Sequence, residues 1–162
     1  MIKTKSLAYT YTSAKEILFT DLTIESGSQV LLLGESGSGK TTLLHLLGGL
    51  LKSQKGSLEV IGTDISKLSE HQLDRFRGQH YGFIFQRNHL IQALTVERNL
   101  LMAPFLAGLN QSSERVDEVL DELGIADKKH ARIQDLSLGQ AQRVAIARAV
   151  LKNPPILILD EA

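Results

Sequence analysis

The chain contains no cysteine among its 162 residues. Disulfide bonds, zinc sites built from thiolates and catalysis by a thiol are therefore excluded, although this absence does not fix the cellular compartment. Neither sign of charge is in excess, because Lys and Arg together number 18 and Asp and Glu together number 18. Zero net charge gives no long-range attraction to nucleic acid or anionic lipid. Only a local patch of positive charge could bind either of them. The five histidines show no spacing typical of metal ligands.

Long hydrophobic runs are absent as well. The N-terminus, Met1 to Lys5, lacks the apolar core of a signal peptide. No apolar stretch approaches the roughly 20 residues that a membrane-spanning helix needs. We therefore expect a soluble, cytosolic protein that meets a membrane only peripherally or through a partner. The length of 162 residues suits one ordinary domain, and no internal repeat divides it.

The most informative residues that are present lie at positions 34–42 and read GESGSGKTT. They match the pattern G-x-x-x-x-G-K-[ST], whose lysine reaches the β- and γ-phosphates and whose hydroxyl binds Mg²⁺. We predict a strand over residues 29–33 before the loop and a helix from Thr41 to about Leu51 after it. This arrangement aims backbone N–H groups at an anion. A flexible glycine turn is the alternative, and the flanking strand and helix argue against it.

The rest of the pattern indicates an α/β protein. Further strands are predicted at residues 2–11, 18–24, 57–61, 81–85 and 156–159, the last of them a buried parallel strand. A short helix is predicted after the capping box of Ser69 and Gln72. The stretch from residue 90 to about 152 is mainly helical. Its predicted N-caps are Thr95 or the residue before it, Ser112 or Ser113, and Ser137.

Two carboxylates, Asp160 and Glu161, directly follow the last apolar strand. In open α/β sheets, ligands bind at the carboxyl ends of the strands. Asp160 can hold Mg²⁺ opposite Thr41, directly or through water, and Glu161 can polarise an attacking water. A solvated acidic strand end is the common alternative, but a phosphate loop in the same chain favours the functional interpretation.

Together these motifs resemble the nucleotide-binding domain of ATP-binding-cassette (ABC) transporters. GESGSGKTT resembles the family's Walker A loop, and ILILDE resembles its Walker B strand with the catalytic glutamate. Gln86 in FIFQ resembles the Q-loop glutamine. LSLGQ at residues 136–140, followed by AQRVAIARA, resembles the signature LSGGQ. The resemblance implies an α/β P-loop NTPase core with a parallel sheet, N-terminal antiparallel strands and a helical insertion, and it implies ATP and Mg²⁺ as ligands.

The resemblance also implies a subdivision and a role for each matching residue. Residues 1–87 and 153–162 would form the core, and residues 88–152 the mainly helical subdomain with the signature. The implied catalytic residues are Glu161, as general base on water, with Lys40 and Gln86. Thr41, Gln86 and Asp160 would serve Mg²⁺. The implied nucleotide-binding residues are the phosphate loop, an adenine-stacking aromatic, the Q-loop glutamine and the signature: Tyr11, Gly34, Glu35, Ser36, Gly37, Ser38, Gly39, Lys40, Thr41, Thr42, Gln86, Ser137, Gly139 and Gln140.

Two of these assignments have ordinary structural alternatives. A tyrosine near a strand end often only packs, and Tyr9 competes with Tyr11. Ser137 taken alone is favoured as a helix N-cap. In the family, however, Ser137, Gly139 and Gln140 would face the γ-phosphate held by another subunit, which implies an ATP-dependent homodimer.

The stretch RFRGQHYGFIFQRNHLIQALTVERNLLMAPFLAG resembles the ATPase subunits of bacterial lipoprotein-release and macrolide-export systems, and also the cell-division ABC ATPase. The resemblance implies that the segment from Arg87 to Leu106 receives the coupling helix of an integral-membrane permease. The protein would then lie on the cytoplasmic face of the bacterial inner membrane, held there by the permease, without direct membrane insertion and without a nucleic-acid partner.

Two departures from the family pattern matter. Leu138 stands where the signature usually has glycine, and its side chain could crowd the γ-phosphate. We expect weakening rather than abolition. The chain ends at Ala162 without the family's D-loop and switch histidine, so we expect a C-terminally truncated domain with weak ATPase activity. Three functions stay open: the motor subunit of a transporter, a catalytically impaired nucleotide-binding module, and a soluble ABC ATPase acting on DNA or ribosomes. Zero net charge and the compact spacing between Gln86 and Ser137 disfavour the third.

Overall fold

The computed structural model of the chain describes residues 2–12 and 16–160. The chain divides into two compact units, Met1–Leu73 and Asp74–Ala162. The functional subdivision at residues 87 and 152 stays a prediction, because compactness and family subdomains are different criteria.

The first unit is built on an antiparallel sheet around β1 (Ile2–Tyr9). β1 pairs with β2 (Ile17–Leu18), β3 (Thr23–Ile24) and β4 (Lys55–Val60), and β4 pairs in turn with β5 (Thr63–Asp64). The predicted N-terminal antiparallel strands are therefore confirmed. The predicted strand at residues 57–61 begins two residues earlier and ends one residue earlier than expected.

The single strand predicted over residues 18–24 is wrong, because the chain pairs with β1 only in the short segments β2 and β3. Between them lies an irregularity of β1 at Ser6, which has a φ of 50°. Two backbone bonds remain between the short segments, from the Thr4 N–H to Leu22 O at 2.9 Å and from the Phe19 N–H to Leu7 O at 3.0 Å. Side chains accept from two further backbone donors: the Ser6 N–H donates to Asp21 Oδ1 at 2.6 Å, and the Leu22 N–H donates to Thr4 Oγ1 at 2.7 Å. A bulge in one strand interrupts the pairing of its neighbour.

The strand predicted over residues 29–33 is also wrong. These residues form no ladder with any part of the chain that the structure describes. Their apolar side chains are largely exposed, and Leu33 reaches 82%. A strand requires a hydrogen-bonded neighbour as well as an apolar sequence, and the local pattern carries no information about that neighbour.

The helix after the phosphate loop is present but shorter than predicted. α1 spans Lys40–Leu47 rather than extending to about residue 51. The chain turns back at its end, where the N–H groups of Leu50 and Leu51 both donate to His45 O, at 2.8 and 3.1 Å. A 3-10 turn at Ile65–Lys67 and α2 (Glu70–His80) follow β5.

The capping box predicted before α2 is confirmed. The Ser69 N–H donates to Gln72 Oε1 at 2.9 Å, and the Gln72 N–H donates to Ser69 Oγ at 3.3 Å. Each side chain satisfies a backbone donor that the first helical turn leaves unpaired.

The second unit contains a two-stranded parallel sheet, most of α2 and the helices that follow β6. β6 (Tyr81–Phe85) pairs with β7 (Ile156–Asp160). The helices are α3 (Val96–Leu106), α4 (Ser113–Glu122) and α5 (Leu138–Val150). They enclose one apolar core, whose buried members are Leu90, Val96, Leu100, Val116, Val119, Leu120, Ile125, Ile133, Val144, Ala147 and Leu151.

The N-cap residues predicted for the helices of this unit are confirmed, and the structure selects one residue at each start. Thr95 Oγ1 accepts from the Arg98 N–H at 3.4 Å, and Ser112 Oγ accepts from the Arg115 N–H at 3.1 Å. Ser137 caps α5. α3 ends at Leu106 and contains Pro104.

The strand β7 is parallel as predicted, but it is not buried throughout. Ile158 is buried, whereas Leu157 and Leu159 on the opposite face are exposed, Leu159 to 54%. A parallel strand is buried on both faces only when both faces are covered. In the described part of the chain, no helix combines the length and the apolar character needed to cross a bilayer.

Candidate functional site

The phosphate loop of the first unit ends at a helix N-terminus without a side-chain cap. α1 begins after Gly39, whose φ of 91° lies in the left-handed region that favours glycine. Within residues 2–12 and 16–160, no side chain caps the helix at Gly39. The first-turn N–H groups of an α-helix have no intrahelical acceptor. With the helix dipole, they provide a site suited to an anion.

The ammonium group of Lys40 folds back over this loop. Its Nζ donates to Gly34 O at 2.8 Å and to Glu35 O at 2.7 Å. Two carbonyl dipoles are weaker partners for an ammonium than a phosphate, because the phosphate oxygens carry a full negative charge that attracts the ammonium and the carbonyl oxygens do not. The lysine is therefore held at the loop by bonds that a phosphate group can replace.

Tyr11 reaches the helix that follows the loop. Its hydroxyl lies 3.0 Å from Thr42 Oγ1, and one of the two oxygens donates to the other. Thr42 is buried, whereas Tyr11 is 45% exposed. The ring of Tyr9 meets that of Tyr11 edge to face with centroids 4.9 Å apart. The Tyr11 ring is thus tethered beside the phosphate loop with much of its surface accessible.

The second unit brings Gln86 and Asp160 to one edge of its parallel sheet. Phe85, the last residue of β6, lies opposite Asp160, the last residue of β7, and Gln86 follows Phe85 directly. The close packing of α5 on β6 depends on Gly82, because a Cβ at that position would overlap the Ala149 carbonyl oxygen. Glu161 lies outside the described residues.

The segment predicted as a signature forms the start of α5. Ser137 and Gln140 make a reciprocal capping box: Ser137 Oγ accepts from the Gln140 N–H at 3.3 Å, and Gln140 Oε1 accepts from the Ser137 N–H at 2.9 Å. Leu138 follows at the first helical position with 85% of its surface exposed. A Cβ at Gly139 would meet no atom within 4 Å, so this helix end is open.

Arg148 is a residue that sequence reasoning missed. Its guanidinium lies on α5 and donates to Asn88 O at 2.7 Å and His89 O at 2.8 Å, in the segment just after Gln86. Burial lowers the pKa of Arg148, since its carbonyl partners carry no full charge to compensate for lost water. No sequence pattern indicated this clamp, because it joins residues about 60 positions apart.

The segment from residue 87 to 109 also exposes apolar side chains. Phe105, Leu106 and Leu109 are exposed near the end of α3. Ile91, which precedes α3 in the sequence, is exposed as well. The described residues contain no cluster of three His, Cys, Asp or Glu side chains able to hold a metal ion.

A family model described as "ABC transporter" matches residues 19–162. The lipoprotein-releasing system ATP-binding protein LolD of Bacteroides fragilis is 35% identical over 163 residues, which cover 99% of this chain and 76% of that protein. The macrolide export ATP-binding/permease protein MacB of Psychrobacter arcticus is 40% identical over 143 residues, which cover 87% of this chain and 22% of that protein.

Solved structures of ABC transporter cassettes also match this chain. The dimeric structure of MJ0796, an ABC transporter cassette, matches with a TM-score of 0.88 and 33% identity, covering 99% of this chain and 73% of that one. A second dimeric structure of MJ0796 is a post-hydrolysis state bound to ADP and Pi, and it matches with the same TM-score of 0.88.

Proposed function

Because this chain belongs to the ABC transporter family and has the P-loop NTPase fold of its ATPase domains, we propose that it binds and hydrolyses ATP to power a membrane transporter of the export or lipoprotein-release type. The observation that carries the proposal is the phosphate loop. Its helix N-terminus lacks a side-chain cap, and the Lys40 ammonium is held above it by two exchangeable carbonyls.

In this proposal the triphosphate occupies the loop formed by residues 34–42. The first-turn N–H groups of α1 bind phosphate oxygens, and Lys40 leaves Gly34 O and Glu35 O to pair with the β- and γ-phosphates. The Tyr11 ring, tethered through Thr42, stacks on the adenine base. An aromatic face suits a base because both are flat π-systems.

The oxygen donors proposed for Mg²⁺ fit that ion chemically. They are the Thr41 hydroxyl, the Gln86 amide oxygen and the Asp160 carboxylate, and Mg²⁺ prefers hard oxygen ligands. Two of them lie at the ends of adjacent parallel strands, Gln86 directly after β6 and Asp160 as the last residue of β7. When bound, the ion would neutralise charge on the phosphates. We assign Glu161 as the general base that takes a proton from the attacking water.

The proposed unit of action is a dimer of two copies. The start of α5, with Ser137, Gly139 and Gln140, would approach the γ-phosphate held by the partner's loop. An open helix N-terminus supports this role because it attracts anions. The capping box supports the alternative role of Ser137 as an ordinary cap, and both uses are compatible because N–H groups beyond the box remain for an anion.

The proposed permease-docking surface is the segment from Arg87 to Leu106. The exposed apolar side chains of the adjacent residues Phe105 and Leu106 support it, since exposed apolar patches mark interaction sites. Arg148 ties the backbone at the start of this segment to α5. Docking would place the protein on the cytoplasmic face of the bacterial inner membrane.

ATP binding through Lys40 is the test of the proposal. MgATP is titrated calorimetrically into the wild-type chain, Lys40→Ala and the control Lys3→Ala, which removes an exposed lysine from β1. We expect Lys40→Ala to weaken binding by roughly 10- to 150-fold, because a hydrogen bond to a charged group contributes about 1.5–3 kcal/mol. We expect Lys3→Ala to bind like wild type. Equal ATP affinity of folded Lys40→Ala and wild type, with folding checked by circular dichroism, would refute the site.

A catalytically impaired nucleotide-binding module is the second candidate, and the exposed Leu138 favours it. A leucine there presents a side chain where an approaching phosphate needs space. Steady-state phosphate release separates the two functions. The motor predicts turnover that Glu161→Gln abolishes without weakening ATP binding, whereas the impaired module predicts ATP binding with no turnover for Glu161→Gln to remove.

A further inference from the structure

The side chain of Gln54 holds both backbone groups of Thr10. The Thr10 N–H donates to Gln54 Oε1 at 2.8 Å, and Gln54 Nε2 donates to Thr10 O at 2.9 Å. A carboxamide offers an acceptor and a donor, as a peptide group does. Gln54 therefore pairs with Thr10 as the backbone of a neighbouring strand would.

This pairing lies just beyond the ends of two strands. The last registered pair between β1 and β4 at this end joins Ala8 to Lys55, and the Gln54 N–H donates to Ala8 O at 3.4 Å. The Gln54 side chain then extends the connection to Thr10, which follows the end of β1 at Tyr9. The glutamine thus fixes the direction in which the chain leaves the sheet.

The residue after Thr10 is Tyr11, whose hydroxyl is bonded to Thr42 Oγ1 at 3.0 Å. Tyr11 is therefore held from two sides: its backbone follows the Gln54 clamp, and its hydroxyl meets the helix of the phosphate loop. We propose that Gln54 is a positioning residue for recognition of the nucleotide base, which keeps the Tyr11 ring oriented for stacking. This inference rests on the proposed function, in which Tyr11 contacts adenine.

The Gln54 clamp is expected to affect recognition of the base and not binding of the phosphates. Without it, the Thr10–Tyr11 backbone must be ordered when ATP binds, and that ordering costs conformational entropy. The phosphates bind to residues 34–42, and the bonds of the Gln54 side chain go to Thr10 instead. Loss of the clamp should therefore weaken binding of ATP but not of inorganic tripolyphosphate.

Calorimetric titration with MgATP and with magnesium tripolyphosphate tests this. Gln54→Met removes both hydrogen bonds and keeps the side-chain length, and Gln111→Met is the matched control in an exposed loop of the second unit. We expect Gln54→Met to weaken ATP binding about three- to tenfold, as the loss of about one net hydrogen bond implies, with tripolyphosphate affinity unchanged. Gln54→Glu keeps the acceptor for the Thr10 N–H but sets a carboxylate oxygen against Thr10 O. It should also weaken ATP binding, and it carries the test if Gln54→Met fails to fold.

The reference variant Tyr11→Leu separates failure of this inference from failure of the proposed site. In the Tyr11→Leu background, Gln54→Met should have no further effect on ATP binding. If Tyr11→Leu weakens ATP binding and Gln54→Met does not, the positioning role is overturned and the nucleotide site stands. Equal weakening of both ligands by Gln54→Met also overturns it, because Gln54 would then act through the fold of the unit. If Tyr11→Leu binds ATP like wild type, the adenine assignment fails and the role of Gln54 falls with it.

Discussion

The side chains of Lys40 and Tyr11 are both restrained by hydrogen bonds. Lys40 Nζ is held by two carbonyl oxygens of its own loop, and the Tyr11 hydroxyl is held by Thr42. The Tyr11 tether restricts its ring before ligand binding, and preorganised groups lose less entropy when they bind, whereas Lys40 stays close to the loop and would exchange its two carbonyls for phosphate oxygens. At the scale of single residues, the proposed site is therefore partly assembled in the isolated chain.

The absence of tryptophan allows a direct test of stacking on Tyr11. Tyr11→Trp would introduce the only tryptophan of the chain, and an indole keeps the flat face that adenine needs. We expect MgATP to quench its fluorescence, whereas magnesium tripolyphosphate, which has no base, should not.

Tyr9→Trp is the matched control, because the Tyr9 and Tyr11 rings are neighbours in edge-to-face contact. Its emission should change less with ATP than that of Tyr11→Trp. A larger quench at residue 9 would assign the base to Tyr9, the competing aromatic.

At the scale of elements, α5 connects the proposed signature to the proposed docking segment. Its first turn is closed by the Ser137–Gln140 capping box, and its last turn carries Arg148, bonded to the backbone of Asn88 and His89. His89 has a φ of 45°, which non-glycine residues seldom adopt. The guanidinium clamp therefore stabilises a backbone turn that the local sequence does not favour.

Arg148→Lys tests this clamp. The two donated bonds use both terminal nitrogens of a planar guanidinium, and a single ammonium cannot reproduce that fork. We expect the free energy of unfolding to fall by about 1–2 kcal/mol, measured by urea denaturation, with faster amide exchange at residues 88–90.

Arg143→Lys is the control for that measurement. Arg143 lies on the same helix, is exposed and makes one bond, from Nη1 to Leu123 O at 3.1 Å. Its replacement should change stability by less than about 0.5 kcal/mol. If Arg148→Lys costs no more than Arg143→Lys, the clamp does not hold the segment.

At the scale of the whole molecule, each of the two units contains candidate ligand groups of its own. The first unit contains Tyr11 and the phosphate loop, and the second contains Gln86, Asp160 and the start of α5. The relative MJ0796 is dimeric in its solved structures, one of them bound to ADP and Pi. We extend this to a proposal for the present chain, in which ATP joins two copies across a two-fold axis.

The corresponding prediction is an ATP-dependent dimer. In Glu161→Gln, in which hydrolysis is blocked, MgATP should shift the protein from monomer to dimer in sedimentation velocity, because bound ATP remains at the interface. Adding Ser137→Arg should prevent the shift while ATP affinity of the monomer is retained. Leu138→Gly should strengthen it, since glycine leaves space for the phosphate.

Gln111→Arg provides the control for the added charge, because it places the same side chain on an exposed loop that is not part of α5. It should dimerise with ATP as the parent does. If Ser137→Arg dimerises as readily as Gln111→Arg, the start of α5 is only a capped helix.

The sequence by itself determined the features that depend on residues close together in the chain. The phosphate loop, the N-caps Thr95, Ser112 and Ser137, the Ser69–Gln72 capping box and the strand at residues 81–85 all followed from local patterns. The family and its fold followed as well, and they are confirmed by the family model and the solved relatives. Such features depend on interactions over a few residues, so a single sequence can specify them.

Only the tertiary structure decided what depends on distant partners. The break between β2 and β3 comes from the bulge at Ser6, and the missing strand at residues 29–33 reflects the lack of a described ladder partner. The Tyr11–Thr42 bond, the Gln54 clamp and the Arg148 clamp each join residues more than 30 positions apart. A local sequence pattern shows which donors and acceptors a residue has. The partner that each donor or acceptor finds depends on which distant residues the folded chain brings close to it.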